Sequence, residues 1–361
     1  MTEEKIYLTL ENGRVFTGRP FGAAGEVTGE IVFTTAMTGY LETITDPSYC
    51  GQMVVQTFPL IGNYGVIPED FESPRPRLAA YIVREHCEAP SNFRCKGRLD
   101  DYLKREGVVG LYGIDTRELT RIIREHGVMN AKITREAPDL PAVQKELAAF
   151  AVRGAVEQVS IEKAERYAPE EIKRRVALWD FGAKRNIRRE LVSRGCEVIC
   201  LPQSATAREI LDLQPDGLML SNGPGDPADN GEIIRELRLL LEEKLPTFGI
   251  CLGHQLLALA NGGKTGKLKY GHRGANQPAR DTKTGRVYIT SQNHGYAVLP
   301  DSLPDTAKVR FVNANDGTCE GVDYTDRPAF SVQFHPEASG GPRDTMFLFD
   351  RFMELMDQNR K

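Results

Sequence analysis

The chain has 361 residues, enough for two domains that each bury a core of their own. Its 46 lysines and arginines are nearly matched by 50 aspartates and glutamates, so the net charge of −4 excludes a strong overall field that would attract nucleic acid or an anionic membrane. No run of about 18 apolar residues and no secretory leader pattern occurs, which predicts a soluble, cytoplasmic protein.

The seven cysteines are an odd number, scattered without the spacing of a disulfide framework. They are predicted to be free thiols in a reducing compartment. Cys196 and Cys200 lie close together, as do Cys87 and Cys95, but neither pair is followed by a second pair of ligands at zinc-site spacing. The spacing therefore predicts no metal site.

Residues 1–155 are predicted to form a separate α+β domain. Strand-like segments at 6–10 and 30–35 are set among many glycines and prolines, and helices are expected at 99–105 and 116–125. Residues 156–174 are dense in charge and contain Pro169, which is typical of a linker. The second domain is therefore expected to span 175–361.

In the second domain, strand-like and helix-like segments alternate along the chain. Strands are predicted at 175–181, 197–201, 217–221 and 247–250, and helices at 184–194, 207–213, 232–244 and 255–260. This alternation predicts an α/β fold with a doubly wound, mainly parallel sheet, and a last helix at 345–358 is expected to pack on that sheet. Ligands of such sheets bind beyond the carboxyl ends of the strands.

Cys251 lies between Gly249 and Gly253, where the strand at 247–250 is expected to turn into a helix. Glycines on both sides permit a tight turn that holds the sulfur clear of the backbone, as the G-x-S-x-G turn holds a serine. The N–H groups and the dipole at the helix N-terminus favour the thiolate. An isolated cysteine is more often a small buried residue, but the flanking glycines favour a nucleophile.

A cysteine nucleophile needs a base, and the base needs a group that orients it. His335 follows a predicted strand at 329–334, and Pro336 stops further strand pairing. In an extended chain, residues two apart point to the same side, so Glu337 could hold the His335 ring. His335 and Glu337 are therefore the candidate base and its orienting group.

The loop at 221–227 follows a buried strand and contains Gly223 and Gly225. Together with the N–H of Leu252, such a loop can present backbone donors to a developing oxyanion. Taken alone, the same residues are equally consistent with an ordinary Gly/Pro turn.

With the elbow at Cys251, H-P-E at 335–337 and S-N-G-P-G-D-P at 221–227, residues 175–361 resemble the class I (triad-type) glutamine amidotransferase domain. The first half of the chain resembles the small subunits of carbamoyl phosphate synthetases. The motifs that carry this second resemblance are M-T-G-Y at 37–40, T-D-P-S-Y at 45–49, S-N-F-R at 91–94 and I-D-T-R-E-L-T-R at 114–121. The two resemblances together span essentially the whole chain.

The resemblance implies that Cys251, His335 and Glu337 form a triad that hydrolyses glutamine. It also implies a set of residues that bind glutamine and its oxyanion, partly through backbone atoms: Ser48, Gly223, Gly225, Leu252, Gln255, Asn293, Gly295 and Tyr296. Ser48 would reach the site from the first domain.

The same resemblance implies a partner. Ammonia would pass through a tunnel to a separate large subunit, in a heterodimer or a higher oligomer of heterodimers. That subunit would use bicarbonate and two ATP, with Mg, to make carbamoyl phosphate for arginine or pyrimidine synthesis. No cofactor is expected in this chain, and no nucleic acid or membrane partner.

Other functions stay open at this point. A glutamine amidotransferase subunit serving another acceptor, such as chorismate, would need only about one domain. A catalytically decayed regulatory subunit would be expected to lose Cys251, His335 or Glu337, and a stand-alone cysteine hydrolase would leave the first domain without a role. Lys184 begins a predicted helix and is as consistent with a solvated cation as with a role at the site, so it is left outside the predicted triad.

Overall fold

A computed structural model describes residues 4–360. The chain divides into two compact units, with the boundary between Arg153 and Gly154. Within the described residues, no helix combines the length and the apolar composition needed to cross a membrane.

The first unit is built around a β-barrel. Its strands are β1 (Ile6–Leu10), β2 (Val15–Gly22), β3 (Val27–Thr34), β4 (Gln52–Gln56), β5 (Leu60–Ile61), β6 (Ala80–Ile82), β7 (Glu85–His86), β8 (Val109–Tyr112) and β9 (Met129–Thr134), and its helices are α1 (Tyr40–Thr45), α2 (Leu99–Glu106), α3 (Thr116–His126) and α4 (Leu140–Ala149). The barrel closes in the order β1-β2-β8-β6-β4-β3-β9. Strands β3, β4, β6 and β8 pair in parallel and the other neighbours are antiparallel.

Local sequence signals explain where the helices of the first unit begin and end. The Asp115 carboxylate accepts a hydrogen bond from the N–H of Glu118 and so caps the start of α3. Gly107 ends α2 in the left-handed conformation, with φ of 74°, which glycine adopts without a steric penalty. The predicted helices at 99–105 and 116–125 are therefore present, each slightly longer than predicted.

The second unit is an α/β sandwich. Its elements in chain order are α5 (Ala155–Val159), β10 (Glu165–Tyr167), β11 (Arg174–Trp179), α6 (Arg185–Ser193), β12 (Cys196–Leu201), α7 (Ala207–Asp212), β13 (Gly217–Leu220), α8 (Gly231–Glu242), β14 (Thr247–Ile250), α9 (Leu252–Ala260), β15 (Lys264–Asp281), β16 (Val287–Leu299), β17 (Ala307–Asn313), β18 (Cys319–Tyr324), β19 (Ala329–Val332) and α10 (Phe347–Gln358). The ten strands form one sheet in the order β10-β12-β11-β13-β14-β19-β18-β17-β15-β16.

The centre of this sheet is parallel and buried on both faces. Strands β12, β11, β13, β14 and β19 run parallel side by side. Val176 and Leu178 belong to the apolar cluster that includes α6 and α10, whereas Ala177 and Trp179 belong to the cluster that includes α7, α8 and α9. Because successive side chains of β11 bury on opposite faces, helices cover both sides, and the predicted doubly wound α/β fold is confirmed.

The sheet extends beyond β19 in a way that was not predicted. Strands β18, β17, β15 and β16 continue it with antiparallel pairing. The two long strands β15 and β16 form a hairpin with register shifts between Lys267 and His272 and between Gly274 and Gln277. This extension supplies Asn293, Gly295 and Tyr296, all on β16, to the second unit.

Residues 156–174 differ from the predicted linker. They contain most of α5 and all of β10, and β10 pairs antiparallel with β12 at the edge of the sheet. The charges belong to an exposed edge strand: Arg166 forms an ion pair with Glu197, and the Arg188 guanidinium lies 3.6 Å from the centroid of the Tyr167 ring. The many charged residues of 156–174 therefore reflect exposure to solvent and not a lack of secondary structure.

Candidate active site

Cys251 lies at the junction of β14 and α9 with an unusual backbone. Its φ of 53° and ψ of −103° are rare for a residue with a side chain, and such strain costs about 1–3 kcal/mol where the surroundings enforce it. A Cβ atom on Gly253 would lie 2.4 Å from the carbonyl oxygen of Leu220. A Cβ on Gly249 would lie 2.8 Å from the backbone of Gly253, so both flanking positions require glycine for this turn. The residues at 249–253 therefore form the predicted elbow.

His335 and Glu337 form a buried pair beyond the carboxyl end of β19. His335 Nδ1 lies 2.7 Å from Glu337 Oε1, and neither side chain is exposed to solvent. The N–H of His335 donates to the carbonyl of Ser291 at 2.9 Å, which anchors the backbone at the ring. His335 Nε2 has no hydrogen-bond partner within the described residues, so that nitrogen remains available to a reacting group.

The elbow and the buried pair follow neighbouring strands. Strands β14 and β19 pair in parallel, and the N–H of Cys251 donates to the carbonyl of Val332 at 2.9 Å. The carboxyl ends of these two strands therefore lie side by side, and they place Cys251 and His335 at the same edge of the sheet.

Lys184 adds a third charged group beside the buried His335–Glu337 pair. Its Nζ lies 3.2 Å from Glu337 Oε1, and its side chain is only 8% exposed. The side chain is therefore buried at the site rather than solvated, which decides between the two interpretations left open by the sequence.

The charges of the pair follow from these contacts. Burial and Lys184 both lower the pKa of His335, but Glu337 and Cys251 outweigh them, so its pKa is raised above the usual value. Burial raises the pKa of Glu337, but His335 and Lys184 outweigh burial and hold its pKa below the usual value. An imidazolium facing a carboxylate is the favoured state at neutral pH.

A second buried histidine close to the elbow behaves in the opposite way. His254 lies on α9 with Nδ1 2.8 Å from the hydroxyl oxygen of Ser331. Burial lowers the pKa of His254 to about 3, and no carboxylate among the described residues offsets it. His254 is therefore neutral, and it is not a second acid or base at neutral pH.

Two loops are tied together beside the elbow. The hydroxyl oxygen of Ser221 accepts the N–H of Phe181 at 2.8 Å, and the Asn222 side-chain oxygen accepts the N–H of Lys184 at 3.0 Å. The carbonyl of Ser221 also accepts the N–H of Gly253 at 3.0 Å. The loop at 221–227 is therefore fixed both to the segment that carries Lys184 and to the first turn of α9.

The predicted oxyanion donors lie on these fixed elements. Leu252 is the first residue of α9, and first-turn N–H groups have no acceptor within their own helix. Gly225 has a φ of 86°, in the region that favours glycine, within the loop at 221–227. Gly223 lies in the same loop, where an added Cβ would be 2.3 Å from the carbonyl oxygen of Phe181.

The predicted glutamine-binding residues of the hairpin are linked to the elbow by hydrogen bonds. Gln255 donates through Nε2 to the carbonyl of Tyr296 at 2.7 Å. The Cys251 thiol lies 3.7 Å from the carbonyl of Asn293, with which it can form a weak hydrogen bond. Gly295 lies between these two residues on β16. The structure thus places Asn293 beside Cys251 and joins Tyr296 to Gln255 in the first turns of α9.

Ser48 belongs to the first unit, where it lies in a short 3-10 turn, Pro47–Tyr49. The Asp46 carboxylate accepts the N–H of Ser48 at 2.9 Å, and Ser48 is buried. Its predicted contact with glutamine stays a prediction.

One polar side chain that contacts the nucleophile was not among the predicted site residues. Gln333 Nε2 lies 3.6 Å from Cys251 Sγ, and Gln333 is fully buried. Gln333 precedes His335 by two residues. Because residues two apart in an extended segment point to the same side, this spacing could have indicated Gln333.

A buried polar cluster in the antiparallel extension was also missed. His272, His294 and Glu320 place one potential ligand atom each within 4.8 Å of one another. His272 Nε2 lies 2.8 Å from a carboxylate oxygen of Asp316, and Gln292 contacts both His294 and Glu320. The three residues lie on β15, β16 and β18, so no local spacing in the sequence could have revealed the cluster.

The parallel sheet, the elbow and the buried His–Glu pair define a class I glutamine amidotransferase domain, and residues 177–355 match the family model described as glutamine amidotransferase class-I. Residues 8–133 match the model described as the carbamoyl-phosphate synthase small chain, CPSase domain.

Three curated relatives extend the similarity to the whole chain. The carbamoyl phosphate synthase small chain of Syntrophotalea carbinolica is 49% identical, over 99% of this chain and 99% of that protein. The small chain of Clostridium perfringens is 51% identical over 97% of this chain and 99% of that protein, and the pyrimidine-specific small chain of Halalkalibacterium halodurans is 50% identical over 99% and 98%. The chain belongs to the family of carbamoyl phosphate synthase small chains.

Proposed function

We propose that this protein hydrolyses glutamine at Cys251 and supplies the ammonia to a carbamoyl phosphate synthase large subunit. The observation that carries this proposal is the elbow cysteine at the end of β14 beside the buried His335–Glu337 pair at the end of β19. Membership in the small-chain family supports the nature of the acceptor reaction.

In the first half of the reaction, the Cys251 sulfur attacks the side-chain amide carbon of glutamine. The negative charge that develops on the amide oxygen is stabilised by the N–H groups of Gly225 and Leu252. His335 carries a proton at neutral pH and gives it to the leaving nitrogen, so ammonia departs and a glutamyl thioester remains. Glu337 holds the imidazole ring in place through Nδ1.

In the second half, water replaces ammonia. His335, now neutral, takes a proton from water as the oxygen attacks the thioester carbon. The carbon–sulfur bond breaks, glutamate leaves, and the Cys251 sulfur and the His335 ring return to their starting state. The ammonia released in the first half of the reaction is the product that is delivered to the large subunit.

Glutamine would be held by the residues that the resemblance implies. In the second unit these are Gln255, Asn293, Gly295, Tyr296 and Gly223, of which Asn293 has its carbonyl 3.7 Å from the Cys251 sulfur. Ser48 is a further predicted contact. The chain needs no cofactor for this chemistry, because a thiolate, an acid and backbone donors suffice. The large subunit would bind ATP, Mg and bicarbonate and form carbamoyl phosphate.

The test uses the chain together with its large subunit. Wild-type complex is expected to make carbamoyl phosphate from glutamine, ATP and bicarbonate, and also from ammonia, ATP and bicarbonate. Cys251→Ser should abolish the glutamine-dependent synthesis and leave the ammonia-dependent synthesis intact. Glutamine-dependent synthesis by the Cys251→Ser complex would contradict the mechanism.

A further inference from the structure

Gln333 faces the nucleophile from the same segment that carries His335. It follows β19, is fully buried, and its backbone N–H donates to the carbonyl of Glu320 at 2.9 Å. Its side-chain Nε2 lies 3.6 Å from Cys251 Sγ. The reaction described above assigns no role to this amide.

The orientation of the Gln333 amide is set by a chain of hydrogen bonds that begins at a backbone carbonyl. The Tyr296 carbonyl can only accept, so the Gln255 group that faces it at 2.7 Å must be the NH₂. The same NH₂ of Gln255 lies 2.9 Å from Gln333, which must therefore present its oxygen. The NH₂ of Gln333 is thus left to face Cys251, and a flip of either amide would oppose two donors or two acceptors.

Within the described residues, a backbone acceptor and a side-chain amide donor lie near the Cys251 sulfur, in addition to the His335 ring, whose pKa Cys251 helps to raise. The Asn293 carbonyl, 3.7 Å away, can accept from the protonated thiol but offers nothing to a thiolate. The Gln333 N–H, 3.6 Å away, can donate to a thiolate. A hydrogen bond to the charged form of a group favours that form.

We propose that Gln333 stabilises the ionised Cys251 sulfur by donating an N–H to it, and that Gln255 keeps the Gln333 amide in the orientation that this requires. The proposal rests on the proposed glutaminase function, because only an attacking thiolate gives the contact a catalytic role. It also connects the nucleophile to Tyr296 through two side-chain amides.

Two variants test the contact in the assembled complex. Gln333→Met keeps a similar length but removes the donor, and Gln333→Glu keeps the shape but places a carboxylate beside the sulfur. The measurement is the pH dependence of Cys251 alkylation by iodoacetamide, together with kcat and KM for glutamine hydrolysis. Ammonia-dependent carbamoyl phosphate synthesis reports whether each complex is folded and assembled.

The midpoint pH of alkylation is expected to rise by about one pH unit in Gln333→Met and further in Gln333→Glu, since a lost charged hydrogen bond and an added like charge both disfavour the thiolate. At neutral pH, kcat should fall about 10-fold in Gln333→Met. Gln56→Met is the matched control, because Gln56 is a buried amide of the first unit that accepts a hydrogen bond from Tyr81. The midpoint pH of Cys251 alkylation should not change in this variant.

An unchanged midpoint in both Gln333 variants would overturn the inference and leave the glutaminase proposal standing, since Cys251→Ser tests that proposal separately. A fall in kcat without a shift in the midpoint would assign Gln333 a packing role instead. If Gln333→Met fails to assemble, Gln333→Leu takes its place, because it also lacks the donor and adds no charge that would raise the midpoint by itself.

Discussion

Lys184 Nζ lies 3.2 Å from Glu337 Oε1, the same oxygen that lies 2.7 Å from His335 Nδ1. One carboxylate oxygen therefore serves two cations in a buried setting. Lys184 lowers the pKa of His335 while Glu337 raises it, so the protonation of the base depends on a balance between two charges that share a partner.

Removal of the lysine charge should shift this balance. In Lys184→Met, the pKa of His335 is expected to rise further, because one of the effects that lower it is gone. The alkaline limb of the kcat profile for glutamine hydrolysis should move to higher pH. The measurement is a pH profile of kcat beside Lys163→Met, which changes an exposed lysine and should leave the profile in place. A limb that moves to lower pH would contradict the assigned role of Lys184.

Removal of the carboxylate should act in the opposite direction. In Glu337→Gln, the contact that raises the pKa of His335 is lost, so burial and Lys184 lower that pKa. The imidazolium then loses its proton at lower pH, and kcat at neutral pH should fall by about 100-fold or more, within the range for a misoriented general acid. The pH profile of kcat checks this, with Glu354→Gln on the exposed side of α10 as the control. A kcat equal to that of the wild type in Glu337→Gln would contradict the role of Glu337 in raising the pKa of His335 and orienting its ring.

The elbow should not accept a methyl group. Gly253→Ala places a Cβ 2.4 Å from the Leu220 carbonyl oxygen, so α9 must move away from β13 or the turn must change. We expect a loss of about 2–3 kcal/mol in the free energy of unfolding, together with a loss of glutamine hydrolysis. Urea denaturation measures the change in the free energy of unfolding. Gly231→Ala is the matched control, since an added Cβ there meets nothing within 4 Å, and its stability should equal or exceed that of the wild type.

The predicted contact of Ser48 with glutamine is open to a kinetic test. Ser48→Ala leaves the turn at 47–49 capped, because Asp46 accepts the backbone N–H and not the hydroxyl. If the hydroxyl binds glutamine, KM should rise about 10-fold with little change in kcat, as expected for lost binding that the transition state shares. Ser91→Ala, an exposed serine of the same unit, should leave both constants unchanged. An unaltered KM in Ser48→Ala would remove Ser48 from the binding set.

The predictable part of the fold follows from local patterns. The central strands are short continuous apolar runs and their helices are amphipathic, so β14 was predicted at its observed bounds, Thr247–Ile250. The long hairpin strands escaped because β15 does not alternate cleanly: its buried and exposed residues follow no steady period of two, and its register shifts twice. A strand whose pairing slips gives no regular pattern to detect.

The candidate site also contains residues that the sequence predicts and residues that it does not. Cys251 was evident because its turn requires glycines at fixed offsets, and Glu337 because it lies two residues from His335. Lys184 could not be decided, because its partner is far away in sequence and only the packed loops bury the lysine beside it. Gln333 was overlooked although it precedes His335 by the same two-residue step, since a glutamine carries no obvious chemical role until its neighbours fix its amide.

The barrel of the first unit is closed and has no edge strand, whereas the large sheet of the second unit ends at β10 on one side and at β16 on the other. Strand β12 is apolar and almost wholly buried, which makes it a template to which a foreign strand could attach. The three residues of β10, two of them charged, pair with β12 at that edge, and Arg166 forms an ion pair with Glu197 of β12. A short, charged stretch of chain that resembles a connection thus covers the apolar strand β12, an arrangement that disfavours edge-to-edge association.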